Sequence, residues 1–194
     1  MGSVLVTGAT GGIGTALVSA LAEAGHRVIA VGRDVGRLDV RGVEADLADP
    51  GTLATAVPET WRRTMAVNVA SAAELVRLTL PALRRSRGHV IFVNASPGMT
   101  GVPRWSAFVA SKAALRELAE SLREEEAAHG IRVTTVYPAA TATALLGEVR
   151  SAFGRPYDPE ACLRPQTLAA MIVWALSAPP DAYACELSVL PSPR

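Results

Sequence analysis

Four polar side chains are candidates for chemistry: Asn68, Ser96, Lys112 and Tyr137. Ser96 and Lys112 share residues 94–112, NASPGMTGVPRWSAFVASK, which come directly after the apolar run His89–Val93. That run reads as a buried strand, and residues 111–127 read as a helix. An open α/β sheet places its site at the carboxyl ends of strands, so the active site is expected in this segment. Asn68 lies mid-helix among apolar neighbours. A buried amide needs a partner, so it serves as a backbone clamp or a water holder. Tyr137 closes an apolar strand at 131–137, where it either supplies a phenol or packs. An amine, a hydroxyl, an amide and a phenol suit the positioning of a small organic molecule for cyclisation, isomerisation or dehydration. Residues 145–162 carry Gly147, Gly154, Pro156 and Pro159 and read as an irregular lid that excludes water. Its apolar members Leu145, Leu146, Phe153 and Cys162 point to a hydrophobic substrate.

A second constellation opens the chain. The strand Ser3–Thr7 runs directly into TGATGGIG, residues 7–14, and then into a helical composition that Gly25 ends. Strand, glycine turn and helix form the context in which such a motif binds a dinucleotide. Gly8 permits the tight turn, Gly12 lets backbone approach a pyrophosphate, and Gly14 allows close helix–strand packing. Thr10 and Ile13 lie in the same turn and are read as further cofactor contacts. The free N–H groups of the helix start face phosphate oxygens. The next strand, 27–31, ends at Gly32, with Arg33 next to it. An acidic residue there would select NAD, whereas an Arg accommodates the 2′-phosphate of NADP; the other reading pairs Arg33 with Asp34. Asp46, at the end of a third strand at 43–46, either accepts from an adenine amino group or acts as a cap for the segment after it.

The remaining elements position these groups. A helix opens at Asp49-Pro50 and ends near Val57, and Pro58-Glu59-Thr60 break the chain. A long helix at 61–83 then carries Asn68, a last helix runs over 164–177, and a final strand covers 186–190. His26, His89 and His129 read as surface residues in turns before strands. The 194 residues suit one domain, 1–194, with a full core. Hydrophobic residues at 49% against charged residues at 19% indicate a globular chain. A net charge of +1 offers no electrostatic case for nucleic acid or a membrane surface. The first apolar run, Val4 to Val6, is too short for a signal peptide or a membrane span. Two cysteines make neither a disulfide framework nor a zinc pattern, so no metal is expected and the location reads as cytoplasmic.

Glycine turn, Asn in a long helix, a segment ending in FVASK and Pro138-X-X-Thr141-X-Thr143 after a strand together resemble the short-chain dehydrogenase/reductase family over nearly the whole chain. The resemblance implies a Rossmann-like, doubly wound parallel sheet in three layers, NADP(H) as cofactor, and a dimer through two long helices. It implies that Lys112 binds the nicotinamide ribose and that Thr141 is a cofactor contact. In the family a Tyr four residues before the Lys donates a proton to a carbonyl, and a Ser thirteen residues before that Tyr polarises it. Here those positions hold Phe108 and Ala95, with Ser96 adjacent. Family members also carry a strand and an Asn-Ala-Gly-type turn between the third strand and the long helix. Here residues 54–57 lead through Pro58 straight to Trp61, so one central strand is expected to be missing. Three functions are compatible with this pattern: a non-redox enzyme on this scaffold, a reductase with a substitute acid, or an inactive relative acting as a structural partner.

Overall fold

The computed structural model describes residues 2–44, 58–96, 105–179 and 181–193. They form a Rossmann-like α/β fold of two compact units, each with a three-stranded sheet. Residues 45–57 lie outside the described residues, and with them Asp46, the helix expected after Asp49 and the stretch in which a family strand is expected to be missing.

The first unit comprises described residues 2–44, 138–179 and 189–193. Its sheet runs β1 (Ser3–Thr7), β2 (Arg27–Gly32), β3 (Arg41–Glu44), all parallel neighbours. Alternate residues of β2, from Val28 through Ala30 to Gly32, turn into the core, as the two-residue period of a strand demands. Helix α1 (Gly12–Glu23) buries Gly14, Val18 and Leu21, one face at helical spacing. Val173 and Leu176 of the last helix, Pro165–Leu176, pack on the same core.

Residues read as an irregular lid contain a helix, Ala144–Ala152. ALLGEVRSA is rich in good helix formers, and the Thr143 hydroxyl caps it by accepting from the Leu146 N–H at 3.2 Å. The Tyr157 hydroxyl donates to the Thr143 carbonyl at 3.3 Å, and Arg150 donates to the Pro156 carbonyl at 2.8 Å. Gly147 lies within the helix, and Gly154, Pro156 and Pro159 follow its end.

The second unit comprises described residues 58–96, 105–137 and 181–188. It opens with one helical run in three parts. These are α2 (Pro58–Met65), a π-helical stretch Ala66–Ala70, and α3 (Ser71–Ser86). Pro58 starts this run where a break is expected, because a proline in the first turn loses no hydrogen bond. Strand β4 (His89–Val93) comes next, and then α4 (Ser106–Glu126), which begins early enough to hold all of FVASK. Strand β5 (Arg132–Pro138) pairs parallel with β4, and β6 (Glu186–Val189) completes the order β4-β5-β6. Residues Val133 to Tyr137 are buried without interruption, the pattern of a strand covered on both faces. The core joins Phe92, Leu115, Ala119, Leu122, Ile131 and Val133, with Val76, Leu80 and Leu83 of α3 packed against it. Arg84 donates to both oxygens of Glu126, at 2.7 and 2.6 Å, which fastens α3 to the end of α4.

His89 departs from the surface reading. It begins β4 half-buried, edge-on to Tyr183. The Thr134 hydroxyl donates to the Ala184 carbonyl at 2.6 Å, so at 2.7 Å it accepts from Nε2–H of His89. Nδ1 is buried without a partner. Burial, assisted by the Arg132 charge, lowers the histidine from 6.5 to about 4. The folded state thus keeps His89 neutral where the unfolded chain takes up a proton. Stability is held above pH 6.5 and falls as pH drops from there toward 4. The full shift corresponds to about 3 kcal/mol, and partial solvent screening reduces it to roughly 1–2 kcal/mol. Urea midpoints at pH 7 and pH 5 are expected to differ more for the wild type than for His89→Gln. Equal differences would refute a buried neutral histidine.

Candidate functional site

Two sites emerge, one in each unit. In the first, β1 delivers the chain into the glycine turn. Gly8 has φ +64°, a left-handed conformation that only glycine adopts freely. The Gly11 N–H closes the turn onto the Gly8 carbonyl at 3.0 Å, and the Ala9 N–H ties it to Val31 of β2 at 3.0 Å. A Cβ on Gly14 would stand 2.1 Å from the Gly8 carbonyl oxygen. The turn and α1 can therefore approach this closely only with glycine there. Gly11 is the N-cap and no side chain caps α1. The helix start therefore presents bare N–H groups with positive partial charge, an arrangement that fits a phosphate.

Thr10 packs on the strand end, its hydroxyl 2.8 Å from where a Cβ of Gly32 would sit. Arg33 lies just beyond that strand end, exposed. Asp34 pairs with Arg37 at 2.5 Å. Thr141, expected to touch a cofactor, is buried and donates its hydroxyl to the Ala139 carbonyl at 3.0 Å. The residue that faces the turn is Thr143, whose methyl lies 2.8 Å from the Cβ position of Gly12. Its signal in the sequence is a Thr directly before a helix-forming run, the N-cap signature.

In the second unit the groups gather between β4 and α4. The Lys112 Nζ donates to the carbonyl of Val93 at 3.1 Å and lies 5.8 Å from the centroid of the Phe108 ring. Phe108 precedes Lys112 by one helical turn, so both project from one face of α4. Trp105 meets Phe108 edge-to-face, with centroids 5.8 Å apart and planes at 89°. Desolvation lowers Lys112 from 10.5 to about 8.

Asn68 sits in the π-helical stretch, a local irregularity frequent at functional sites. Its Nδ2 donates to Ser111 Oγ at 2.9 Å, and that fully buried hydroxyl donates to the Phe108 carbonyl at 2.7 Å. Through Ser111 the Asn68 amide is thus linked to the backbone of α4. Asn94 clamps from the other side. Its N–H donates to Val136, its Nδ2 donates to the Lys112 carbonyl at 3.0 Å, and its Oδ1 accepts from the Ala95 N–H at 2.9 Å. Sequence reasoning passed over Ser111 and Asn94 as site residues, although both lie in the segment it singled out. The tell-tale was polarity beside an apolar strand end. Ser96 is half-buried at the end of the described stretch.

Tyr137 is set apart from this cluster by its contacts. Its phenol donates to the Glu186 carboxylate at 3.1 Å, and Arg116 stands 3.9 Å from the same oxygen. Burial first, and then the Glu186 carboxylate, raise the phenol above its ordinary range.

A short chain dehydrogenase family model matches residues 34–153. An uncharacterized short-chain type dehydrogenase/reductase of Sinorhizobium fredii is 29% identical over 227 residues, covering 97% of this chain and 90% of that protein. The alignment is longer than the 194 residues here, so that relative carries residues this chain lacks. An uncharacterized oxidoreductase of Mycobacterium tuberculosis is 27% identical over 220 residues, covering 89% of this chain, which spans 63% of its length. Among solved structures, an oxidoreductase of the short chain dehydrogenase/reductase family from Burkholderia thailandensis superposes with a TM-score of 0.84 at 25% identity, covering 97% of this chain and 90% of that one. An alcohol dehydrogenase from the archaeon Thermococcus sibiricus, complexed with 5-hydroxy-NADP, gives 0.80 at 21% identity, covering 97% and 95%.

Proposed function

The chain belongs to the short-chain dehydrogenase family, and from that premise we propose that it is a member without hydride chemistry, a non-redox enzyme of small organic molecules. The observation that carries this reading is Phe108, standing over the Lys112 amine where the family pattern has a phenol. A phenyl ring has no proton to give, and loss of a general acid costs about 10²–10⁴-fold. Ala95, at the position of the polarising Ser, offers only its N–H, which Asn94 holds. Lost oxyanion-type donors cost about 10²–10³-fold. The cluster keeps what positioning requires: a desolvated amine, a clamped helix and an aromatic wall. In this reading those groups promote cyclisation, isomerisation or dehydration.

NADP(H) binding belongs to the same proposal. The glycine turn, the bare start of α1 and Arg33 would hold the phosphates. In this reading the nucleotide would be held without giving up or taking a hydride. The bound nucleotide of the Thermococcus relative supports this reading. Calorimetry with NADPH and NADH tests it. A preference for NADPH that drops about tenfold in Arg33→Ala is expected, in line with one lost charge-assisted contact. No binding at millimolar NADPH would rule the cofactor out. The two free cysteines, Cys162 and Cys185, suit a reducing cytoplasm.

The partner we propose is a second copy, docked on the long helices. No residue of α3 is fully buried, and Leu78 is 62% exposed. The run Glu59–Ser86 is apolar enough in composition to cross a membrane, yet it carries Arg62, Arg63, Arg77, Arg84 and Arg85, which are costly in lipid. Light scattering should give a dimer for the wild type and a monomer for Leu78→Glu. A wild-type monomer at high concentration sinks this part of the proposal.

A further inference from the structure

The 19 basic residues of this chain include one lysine, Lys112. Every other cation is an arginine, which carries charge at any ordinary pH and does not act as a nucleophile. The single primary amine on a side chain is thus retained inside the candidate site. We propose that Lys112 attacks the carbonyl carbon of apolar aldehydes and ketones to form an imine. This rests on the non-redox reading above and names its substrate class and its covalent step.

Four observations carry it. The Lys112 Nζ donates to one acceptor, the Val93 carbonyl. Among the described residues no carboxylate pairs with it. Among those residues, then, no anion fixes it as an ammonium ion. The Phe108 ring also lies near it, itself edge-on to Trp105, and this aromatic wall offers apolar surface to a substrate's hydrocarbon part. The helix bearing the amine is fixed at two points, at Ser111 by Asn68 and at the Lys112 carbonyl by Asn94, and the Ser111 hydroxyl bonds on to Phe108 within α4. An aimed nucleophile gains from that fixation. Desolvation acts in the same direction, since at a value of about 8 roughly a tenth of the amine is neutral at pH 7.

The step balances without an oxidant or reductant. The Nζ lone pair forms a C–N bond as the carbonyl π pair moves to oxygen, which takes a proton. That hydroxyl takes a second proton, one of the two coming from the nitrogen and the other from solvent, and leaves as water, so an iminium ion remains. That ion acidifies the neighbouring C–H. The proton passes to solvent, and its electron pair forms the C=C of an enamine. Reprotonation from solvent and hydrolysis return the ketone and the amine. Exchange of the α-hydrogen is the minimal turnover, and isomerisation or dehydration proceeds from the same enamine.

The test uses the whole chain with benzylacetone as probe. Sodium cyanoborohydride traps the imine, peptide mass mapping locates it, and α-deuterium uptake in heavy water is monitored by NMR. We expect a secondary amine on the peptide holding Lys112. The sole side-chain amine makes the assignment unambiguous against the N-terminus. Lys112→Arg should lose that adduct and at least about 10²-fold of the exchange rate, while its circular dichroism stays unchanged. An adduct confined to the N-terminal amine, or exchange unaltered in Lys112→Arg, overturns the inference. A missing adduct beside Lys112-dependent, cofactor-independent turnover overturns the covalent step and leaves the non-redox reading standing. An adduct beside stoichiometric NADPH oxidation keeps the step and overturns that reading.

Discussion

Replacing Lys112 with Met is expected to lower turnover of any accepted carbonyl compound by about 10²–10⁴-fold while the protein stays folded. The separation of the two effects is the informative part. Structurally, among the described residues the Lys112 side chain makes one hydrogen bond, to Val93, and a ring contact with Phe108. A single hydrogen bond is worth about 0.5–1.5 kcal/mol net, and removing a desolvated charge offsets part of that. The unbranched Met is flexible enough to pack in the place of the lysine stem. Melting temperature should therefore move by only a few degrees, about 2–4 °C per kcal/mol for a chain of this size. A variant that retains turnover would mean that the amine only packs against β4.

Gly14→Ala is expected to damage the first unit and dinucleotide binding together. The added Cβ would lie 2.1 Å from the Gly8 carbonyl oxygen and 2.8 Å from both Ala9 Cα and the Gly8 carbonyl carbon. All three are backbone atoms of the turn itself, so no side chain can swing away. Either the turn opens or α1 lifts from β1, and α1 carries Val18 and Leu21 in the core. Overpacking of this kind costs about 1–3 kcal/mol or more, which is roughly a 2–12 °C loss in melting temperature. NADPH affinity should drop at least about tenfold, because the N–H groups no longer converge on one phosphate. A stable Gly14→Ala protein with unchanged affinity would show that the turn holds no phosphate. Gly36 makes a suitable control, since a Cβ there meets nothing within 4 Å.

How much of this was legible in the sequence depended on whether a residue's partner was local. The glycine turn could be read because strand, turn and helix are contiguous and Gly14 answers to Gly8 and Ala9, a few residues away. The Phe108–Lys112 pair could be read for the same reason, since one helical turn separates them. Asn68 was seen as a buried polar group needing a partner, but Ser111 lies 43 residues on, and no spacing rule connects them. Tyr137 offered a phenol at a strand end, and its engagement with Glu186, 49 residues away, could not be read. His89 misled because a histidine after a glycine looks like turn chemistry, whereas its environment comes from Thr134 and Tyr183 of distant segments. The helix Ala144–Ala152 was hidden by Gly147, whose missing side chain accommodates the Tyr157 ring at 3.1 Å from the Cβ position. Glycine there serves packing and does not signal a loop.

The central claim is chemistry on a dehydrogenase scaffold without hydride transfer. The most direct measurement incubates the protein with a panel of apolar aldehydes and ketones and NADPH. Cofactor absorbance and substrate NMR are recorded on the same samples. We predict that at least one carbonyl compound changes, by exchange, isomerisation or loss of water, while NADPH is not consumed. Formation of the corresponding alcohol with one NADPH oxidised per molecule would contradict that claim.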